Sequence, residues 1–405
     1  MGSNRSEGAS PHRVAFDPLS GLPVRRSIGY DTTLSVPAVH GLSFLKGTSM
    51  SYRHPTTTCL LLGLLCLVSG PIQATAQEPS DSSGVEAPEL PRVRIVATGG
   101  TIASRAESPT QVSGYSIGFT GEDLLAMAPG IELVADISVE QFSNISSGSM
   151  SVERWIALSN RITELLETEG YDGVVVTHGT DTLDETAFFL HLTVKSDKPV
   201  VCTGAMRPSS AISADGPLNL YNSVRLAASP DAHGMGAFIM LNEEINSARD
   251  AYKGDTHRVE TFQSGALGLL GWVDSDKVVI YRRPLRRHTR DSEFDVLGVD
   301  SLPRVDIVYT YVGVDEFAVK GFLEAGTKGI VVEGIGGGGS PRSFRAASTM
   351  MREAGIVVVR GSRTPDGRVT GGVDTLPAHK ARILLMLALT KTDDPAEIRR
   401  IFSEY

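Results

Sequence analysis

Cysteine is scarce in this chain: 405 residues hold three, Cys59, Cys66 and Cys202. Positive charge is also in short supply, because 38 Lys and Arg stand against 47 Asp and Glu and leave a formal charge of -9. The chain as a whole therefore has no general attraction to nucleic acid. No apolar run reaches the ~20 residues that a membrane-spanning helix requires. The Gly-x-Ser-x-Gly string at 114–118 lies in a polar stretch, not at a strand-to-helix turn, so it does not read as the nucleophile elbow of the α/β-hydrolases. His178, His191, His233, His257, His288 and His379 never pair at four-residue spacing, and a lone cysteine supplies no thiolate cluster. The glycine-rich turns 98–101 and 336–339 carry neither G-x-G-x-x-G nor a following Gly-Lys-Ser/Thr. No metal and no cofactor are expected.

What is present begins with a removable front end. Residues 1–49 mix Ser, Gly, Pro and Arg without a sustained period and read as an upstream extension. From Met50 come a basic start, the apolar run 59–68 and Ala74-Thr75-Ala76. That is the order of a secretory signal peptide, so residues 50–76 are expected to be cleaved after Ala76 and the protein to be periplasmic or secreted. Cleavage removes Cys59 and Cys66. Cys202, inside an apolar run, then reads as a small buried hydrophobe. Residues 77–90, rich in Glu, Pro and Ser, read as a flexible lead.

The remainder is long enough for two domains, and 41% hydrophobic residues suffice for their cores. Strands are predicted at 93–97, 174–176, 200–203 and 237–241, alternating with helices at 151–167, 182–194 and 218–228. Trp155, Leu158, Ile162, Leu165 and Leu166 recur three or four residues apart and give the first helix one apolar stripe. The polar stretch 104–118 is too long for a tight turn, and Tyr115 between glycines marks it as a flap. The alternation predicts an α/β fold: a larger N-terminal domain, 91–281, with a mostly parallel sheet covered by helices on both faces. Residues 282–303 gather Arg282, Arg283, Arg286, Arg287 and Arg290 without interleaved aromatics. They read as an interdomain linker, not a nucleic-acid surface. A smaller C-terminal α/β domain spans 304–405. Its last helix starts with Asp394 as cap, Pro395 at the first position and Glu397 three residues after the cap.

Two strands end alike. Val93-Arg94-Ile95-Val96-Ala97 runs into Thr98-Gly99-Gly100-Thr101, and Gly173-Val174-Val175-Val176 runs into Thr177-His178-Gly179-Thr180-Asp181-Thr182. Ligands of parallel sheets gather beyond the carboxyl ends of the strands. Two threonine hydroxyls, a carboxylate and free amides there are equipment for attack on a carbonyl. Taken singly, Thr101 is a turn or cap hydroxyl and Thr180-Asp181 a capping arrangement. A threonine hydroxyl is a weak nucleophile and needs a proton acceptor within reach. Tyr115, Asp181 and Lys253 are the available partners. Lys253 alone reads as a solvated surface lysine; beside Asp181 it could be held out of water, polarising Thr180 and compensating the carboxylate.

The segments Ala97-Thr-Gly-Gly-Thr-Ile-Ala103 and 177–182 do not stand alone. With Gly204-Ala-Met-Arg-Pro208, the run 213–222 and Arg249-Asp250 ahead of Lys253, they resemble the bacterial-type L-asparaginase and glutaminase-asparaginase family. The likeness is strongest to its exported type II members and runs from about residue 92 to 405. It implies that Thr101 is the nucleophile on the side-chain amide of asparagine, giving an acyl-enzyme, and that Tyr115 closes over it. Thr180 would assist proton movement, Lys253 would polarise Thr180, and Asp181 would also receive the substrate ammonium. Ser147 matches a serine that binds the α-carboxylate, and Ala205 a position whose backbone carbonyl contacts the amide. Gly148 stands at a substrate-binding position where these enzymes usually carry glutamine. Gly337 replaces an asparagine of some members, and 363–378 is short, with no match to a substrate-facing glutamate. Fewer polar contacts imply looser binding or an altered preference between the two amides. The resemblance also implies a homotetramer, a dimer of dimers whose sites are completed by the partner's smaller domain. The alternatives are a broader glutaminase-asparaginase and a non-catalytic amino-acid-binding protein.

Overall fold

The computed structural model describes residues 89–111 and 114–405. The expected extension 1–49, the expected signal peptide 50–76 and all but the end of the expected lead 77–90 lie outside the described residues.

Among the described residues, eight strands form the main sheet. Across it they run Val278–Ile280, Gly271–Val273, Glu244–Ser247, Ala237–Leu241, Val200–Thr203, Gly173–Thr177, Arg92–Gly99 and Asp136–Ile145. The last five are mutually parallel. The first three add an antiparallel extension. Arg92–Gly99 leads to Asp136–Ile145 on one side, and the chain then crosses back to Gly173–Thr177 on the other. Strand order therefore turns at Arg92–Gly99, the place where open α/β sheets leave a crevice for ligands.

Side-chain alternation sends each strand into two cores. Ile95, Val175 and Val201 pack on one face with the helix Gly216–Ala227. Val96, Val174, Val176, Val200 and Cys202 pack on the other with Val152–Glu167 and Leu183–Thr193. Cys202 is buried, and burial pushes its thiol up to about 12, so it is an inert apolar filler.

The smaller domain has three parallel strands, Val305–Tyr309, Gly329–Gly334 and Val357–Ser362. Helices Phe317–Glu324 and Arg345–Glu353 cover one face. Helices Ala378–Ala388 and Pro395–Glu404 cover the other. Asp394 caps the last helix by accepting from the Ala396 N–H at 3.2 Å. Ile383, Leu384 and Leu387 continue the core into Trp155, Phe188, Phe189 and Leu192 of the larger domain, with Phe294 and Val296 between them. Each fully buried aromatic there contributes about 2 kcal/mol by removal from water. Leu183–Thr193 is consequently buried almost all round, being covered by the sheet on one side and by Ala378–Ala388 on the other.

The arginines of 282–303 are occupied within the chain. Arg286 pairs with Asp374 at 2.6 Å, Arg287 with Glu404 at 2.7 Å and Arg290 with Asp197 at 2.7 Å. Arg283 donates to the carbonyls of Asp231 and His233. Among the described residues, no helix is long and apolar enough to cross a membrane.

Four strands of the main sheet escape a sequence reading. Asp136–Ile145 is a half-buried edge, so its apolar residues are diluted by polar ones. Glu244–Ser247 buries Asn246 and Ser247, and Ser264 donates to Asn246 Oδ1 at 2.6 Å, so polar side chains interrupt the apolar pattern of this strand. Gly271–Val273 and Val278–Ile280 are only three residues long. The flap has a strand base as well: Ser104–Arg105 pairs antiparallel with Ser116–Ile117.

Candidate active site

Four loops leave the carboxyl ends of four adjacent strands and meet. Gly99 ends the strand Arg92–Gly99 and Gly100 follows it, with φ of +110° and +85°, a region that strongly favours glycine. A Cβ on Gly100 would lie 2.2 Å from the Gly179 nitrogen, and one on Gly179 would lie 2.8 Å from Ser147 Oγ. A Cβ on Gly204 would lie 2.6 Å from the His178 carbonyl oxygen and 3.1 Å from Thr180 Cγ2. The absence of side chains at these points brings the backbones of Thr101, Ser147, Thr180 and Ala205 into one neighbourhood. Backbone bonds lock it: Gly100 N–H donates to Ile145 O at 3.0 Å and His178 N–H to Thr203 O at 2.8 Å.

The first hydroxyl has one partner on the flap. Thr101 Oγ1 lies 3.0 Å from Tyr115 OH, and either hydroxyl is able to donate. Both residues are half-buried. The arrangement gives Thr101 a neighbour that can take or return a proton.

The second cluster is charged. Lys253 Nζ donates to Thr180 Oγ1 at 3.0 Å and to Asp181 Oδ1 at 2.7 Å. Thr180 is buried, whereas the Asp181 side chain is 79% exposed and free to meet a ligand. Lys253 comes from the short strand Tyr252–Lys253, paired antiparallel with Phe262–Gln263. Charge-assisted bonds of this kind are stronger than neutral ones. Beyond them opens a cleft of about 460 Å³ lined by Asp181, Asp184, Glu185, Lys253, Asp255 and His379 among others.

Buried hydrogen bonds hold the loops. His178 Nδ1 sits 2.8 Å from the Gly179 carbonyl, which only accepts, so Nδ1 carries the proton. Nε2 then accepts from Thr186 Oγ1 at 3.0 Å, and Thr186 accepts from Trp155 Nε1 at 2.8 Å. Burial keeps His178 below its ordinary value, in line with a neutral ring. Asp215 accepts from the Met206 and Arg207 amides at 2.9 Å each, fixing the turn that carries Ala205. Asn219 donates to the Gly204 carbonyl at 3.0 Å. Thr182 Oγ1 donates to the Ser147 carbonyl at 2.9 Å.

The sequence-predicted residues thus fall into two bonded groups, Thr101 with Tyr115 and Thr180 with Asp181 and Lys253. Ser147 and Ala205 are buried in adjoining loops. Gly148 follows Ser147, and a Cβ there would meet nothing within 4 Å. Sequence reasoning missed Asp215, Asn219, Asp184 and His379. Asp215 and Asn219 both lie inside the resembling run 213–222, and that was their only signal.

Comparison with known proteins adds independent findings. The family profile described as "Asparaginase, N-terminal" matches residues 92–286, and "Glutaminase/Asparaginase C-terminal domain" matches 304–402. L-asparaginase 2 of Bacillus subtilis is 43% identical over 344 residues, covering 82% of this chain and 92% of that protein. A glutaminase-asparaginase of Pseudomonas fluorescens is 40% identical over 356 residues, covering 84% and 97%. A crystal structure of a probable cytoplasmic L-asparaginase from Campylobacter jejuni superposes with a TM-score of 0.76 at 43% identity. It covers 78% of this chain and 100% of that one.

Proposed function

The chain belongs to the bacterial-type L-asparaginase and glutaminase-asparaginase family, and from that premise we propose a role for each residue of its site. The enzyme is an amidohydrolase that converts L-asparagine to L-aspartate and ammonia through an acyl-enzyme.

Thr101 Oγ1 attacks the side-chain amide carbon while its proton passes toward Tyr115 or a water. The tetrahedral oxyanion collapses, the C–N bond breaks, and ammonia leaves with the added proton. Water then attacks the Thr101 ester and releases aspartate. Two modest barriers replace one high one. Thr180, polarised by Lys253, moves protons and orients the amide or water, and its backbone N–H serves the oxyanion. Asp181 takes the substrate ammonium, Ser147 the α-carboxylate, and the Ala205 carbonyl the amide nitrogen. Gly148 borders the amino-acid end without adding a polar group. The observation that carries this reading is the contact of Gly100 with Gly179, which seats the loop bearing Thr101 directly against the loop bearing Thr180 and Asp181.

Ammonia release by purified protein, wild type beside Thr101→Ala, tests it with asparagine and glutamine at matched concentrations. Loss of the nucleophile is expected to cost at least about a thousandfold in kcat. An undiminished variant would remove Thr101 from the mechanism. Turnover on glutamine relative to asparagine decides whether the broader activity named for the Pseudomonas relative extends to this chain.

We propose a domain division at 91–281, 282–303 and 304–405, supported by separate strand sets on either side of the arginine-rich segment. We propose a homotetramer, supported by exposed Tyr309, Tyr311, Val312 and Phe317 along one end of the smaller domain; an active monomer in light scattering would overturn it. We propose a periplasmic or secreted location, supported by the leader-like sequence at 50–76.

A further inference from the structure

Lys253 is gripped from two sides. In front its ammonium meets Thr180 and Asp181. Behind, its own backbone N–H donates to Asp184 Oδ2 at 3.3 Å. That same oxygen lies 3.2 Å from His379 Nε2, in the first turn of the smaller domain's helix Ala378–Ala388. The next residue, Lys380, is fully buried and donates to the carbonyls of Ala248, Arg249 and Ala251, the residues leading into Lys253.

A buried carboxylate is costly unless its oxygens are satisfied. The Asp184 side chain is 6% exposed. Burial opposes its charge, yet the bond and charge of His379, the Lys380 ammonium and the Lys253 amide together hold its carboxyl below the usual range. Its other oxygen accepts locally, from the Glu185 N–H at 3.0 Å. The two longer contacts reach away from its own helix, one to the reactive strand and one to the other domain.

We propose that Asp184 and His379 are positioning residues for the known reaction. His379 fixes the Asp184 carboxylate, the carboxylate fixes the Lys253 backbone, and the ammonium stays aimed at Thr180. The inference rests on the role given to Lys253 above and extends it to residues outside the resembling motifs.

Steady-state kinetics on L-asparagine with the purified enzyme tests this. His379→Leu removes the donor; kcat is expected to fall about tenfold while KM stays within about twofold, as for a misaimed reacting group. His379→Gln keeps an N–H within reach of Asp184 and should recover kcat to within about threefold of wild type. Thermal midpoints of the two variants should agree, which a merely structural histidine would not produce alongside different kcat. Asp184→Asn supplies a second route should His379→Leu fail to fold. Its carbonyl still accepts the Lys253 N–H but attracts His379 weakly, so kcat drops severalfold at unchanged KM. Added to His379→Leu it costs little more, because the two act through one contact. Wild-type kcat in His379→Leu or in Asp184→Asn, or a His379→Gln as slow as His379→Leu, overturns the proposal. Lys253→Met separates the two levels. If that variant is inactive while His379→Leu is unaffected, the relay alone falls. If it retains full activity, the role of Lys253 falls and takes the relay with it.

Discussion

At the scale of single residues, the groups proposed to serve the reaction are the ones the sequence exposes. Thr101, Thr180 and Asp181 follow strands whose apolar runs are easy to read, and Lys253 follows the arginine-aspartate pair. Asp184 and His379 stay hidden, because 195 positions separate them and no local spacing announces a contact that only folding makes. Gly148 is legible as a departure, and its surroundings give the departure a physical meaning. A Cβ at that position meets open space, so a glutamine side chain can be accommodated beside Ser147. Gly148→Gln is expected to lower KM for L-asparagine about fivefold, the worth of one hydrogen bond of about 1 kcal/mol, with kcat little altered. Initial rates on both proteins check it, and an unchanged KM would show that the amino-acid end of the substrate is held by other groups.

At the scale of elements, the junction of strand and loop matters more than either. Gly100 combines a φ of +85° with a neighbour that leaves no space for a methyl group. Gly100→Ala must therefore push the Thr101 loop away from the Thr180 loop or leave its conformation. The expected cost is about 3 kcal/mol or more in stability, with kcat reduced at least about a hundredfold by misplacement. Denaturant titration beside activity measures both, and a variant matching wild type in either would contradict the close packing described. Element types were legible wherever burial was uniform, as in Gly173–Thr177 and Val200–Thr203. They were obscure where a strand is an edge or buries polar side chains that bond to each other, as Asn246 does with Ser264. Periodicity records solvent exposure, and it fails where hydrogen bonding replaces exposure.

At the scale of the whole molecule, three enclosed histidines make stability depend on acidity. Burial holds His178, His191 and His288 below their ordinary value, and the charges of His288, Arg249 and Lys380 press His191 further down. An unfolded chain takes up these protons near pH 6.5, whereas the folded protein takes them up only at lower pH. Between those limits the unfolded state binds more protons, so stability is lost as pH falls below about 6.5. His191→Gln removes one of the titrating rings and should flatten that loss by up to about 1 kcal/mol per pH unit. Urea unfolding at several pH values between 7.5 and 5 checks it; identical slopes would clear His191 of the effect. The two-domain plan was readable from strand and helix order, but the continuity of the interior across the boundary was not, since Trp155 and Phe188 carry no mark of the distant leucines they meet. That continuity bears on how such a protein can be altered. Neither lobe is a cassette: a graft of the smaller lobe from another enzyme would have to import matching partners for Phe188 and Phe189, or leave an oily face in contact with water.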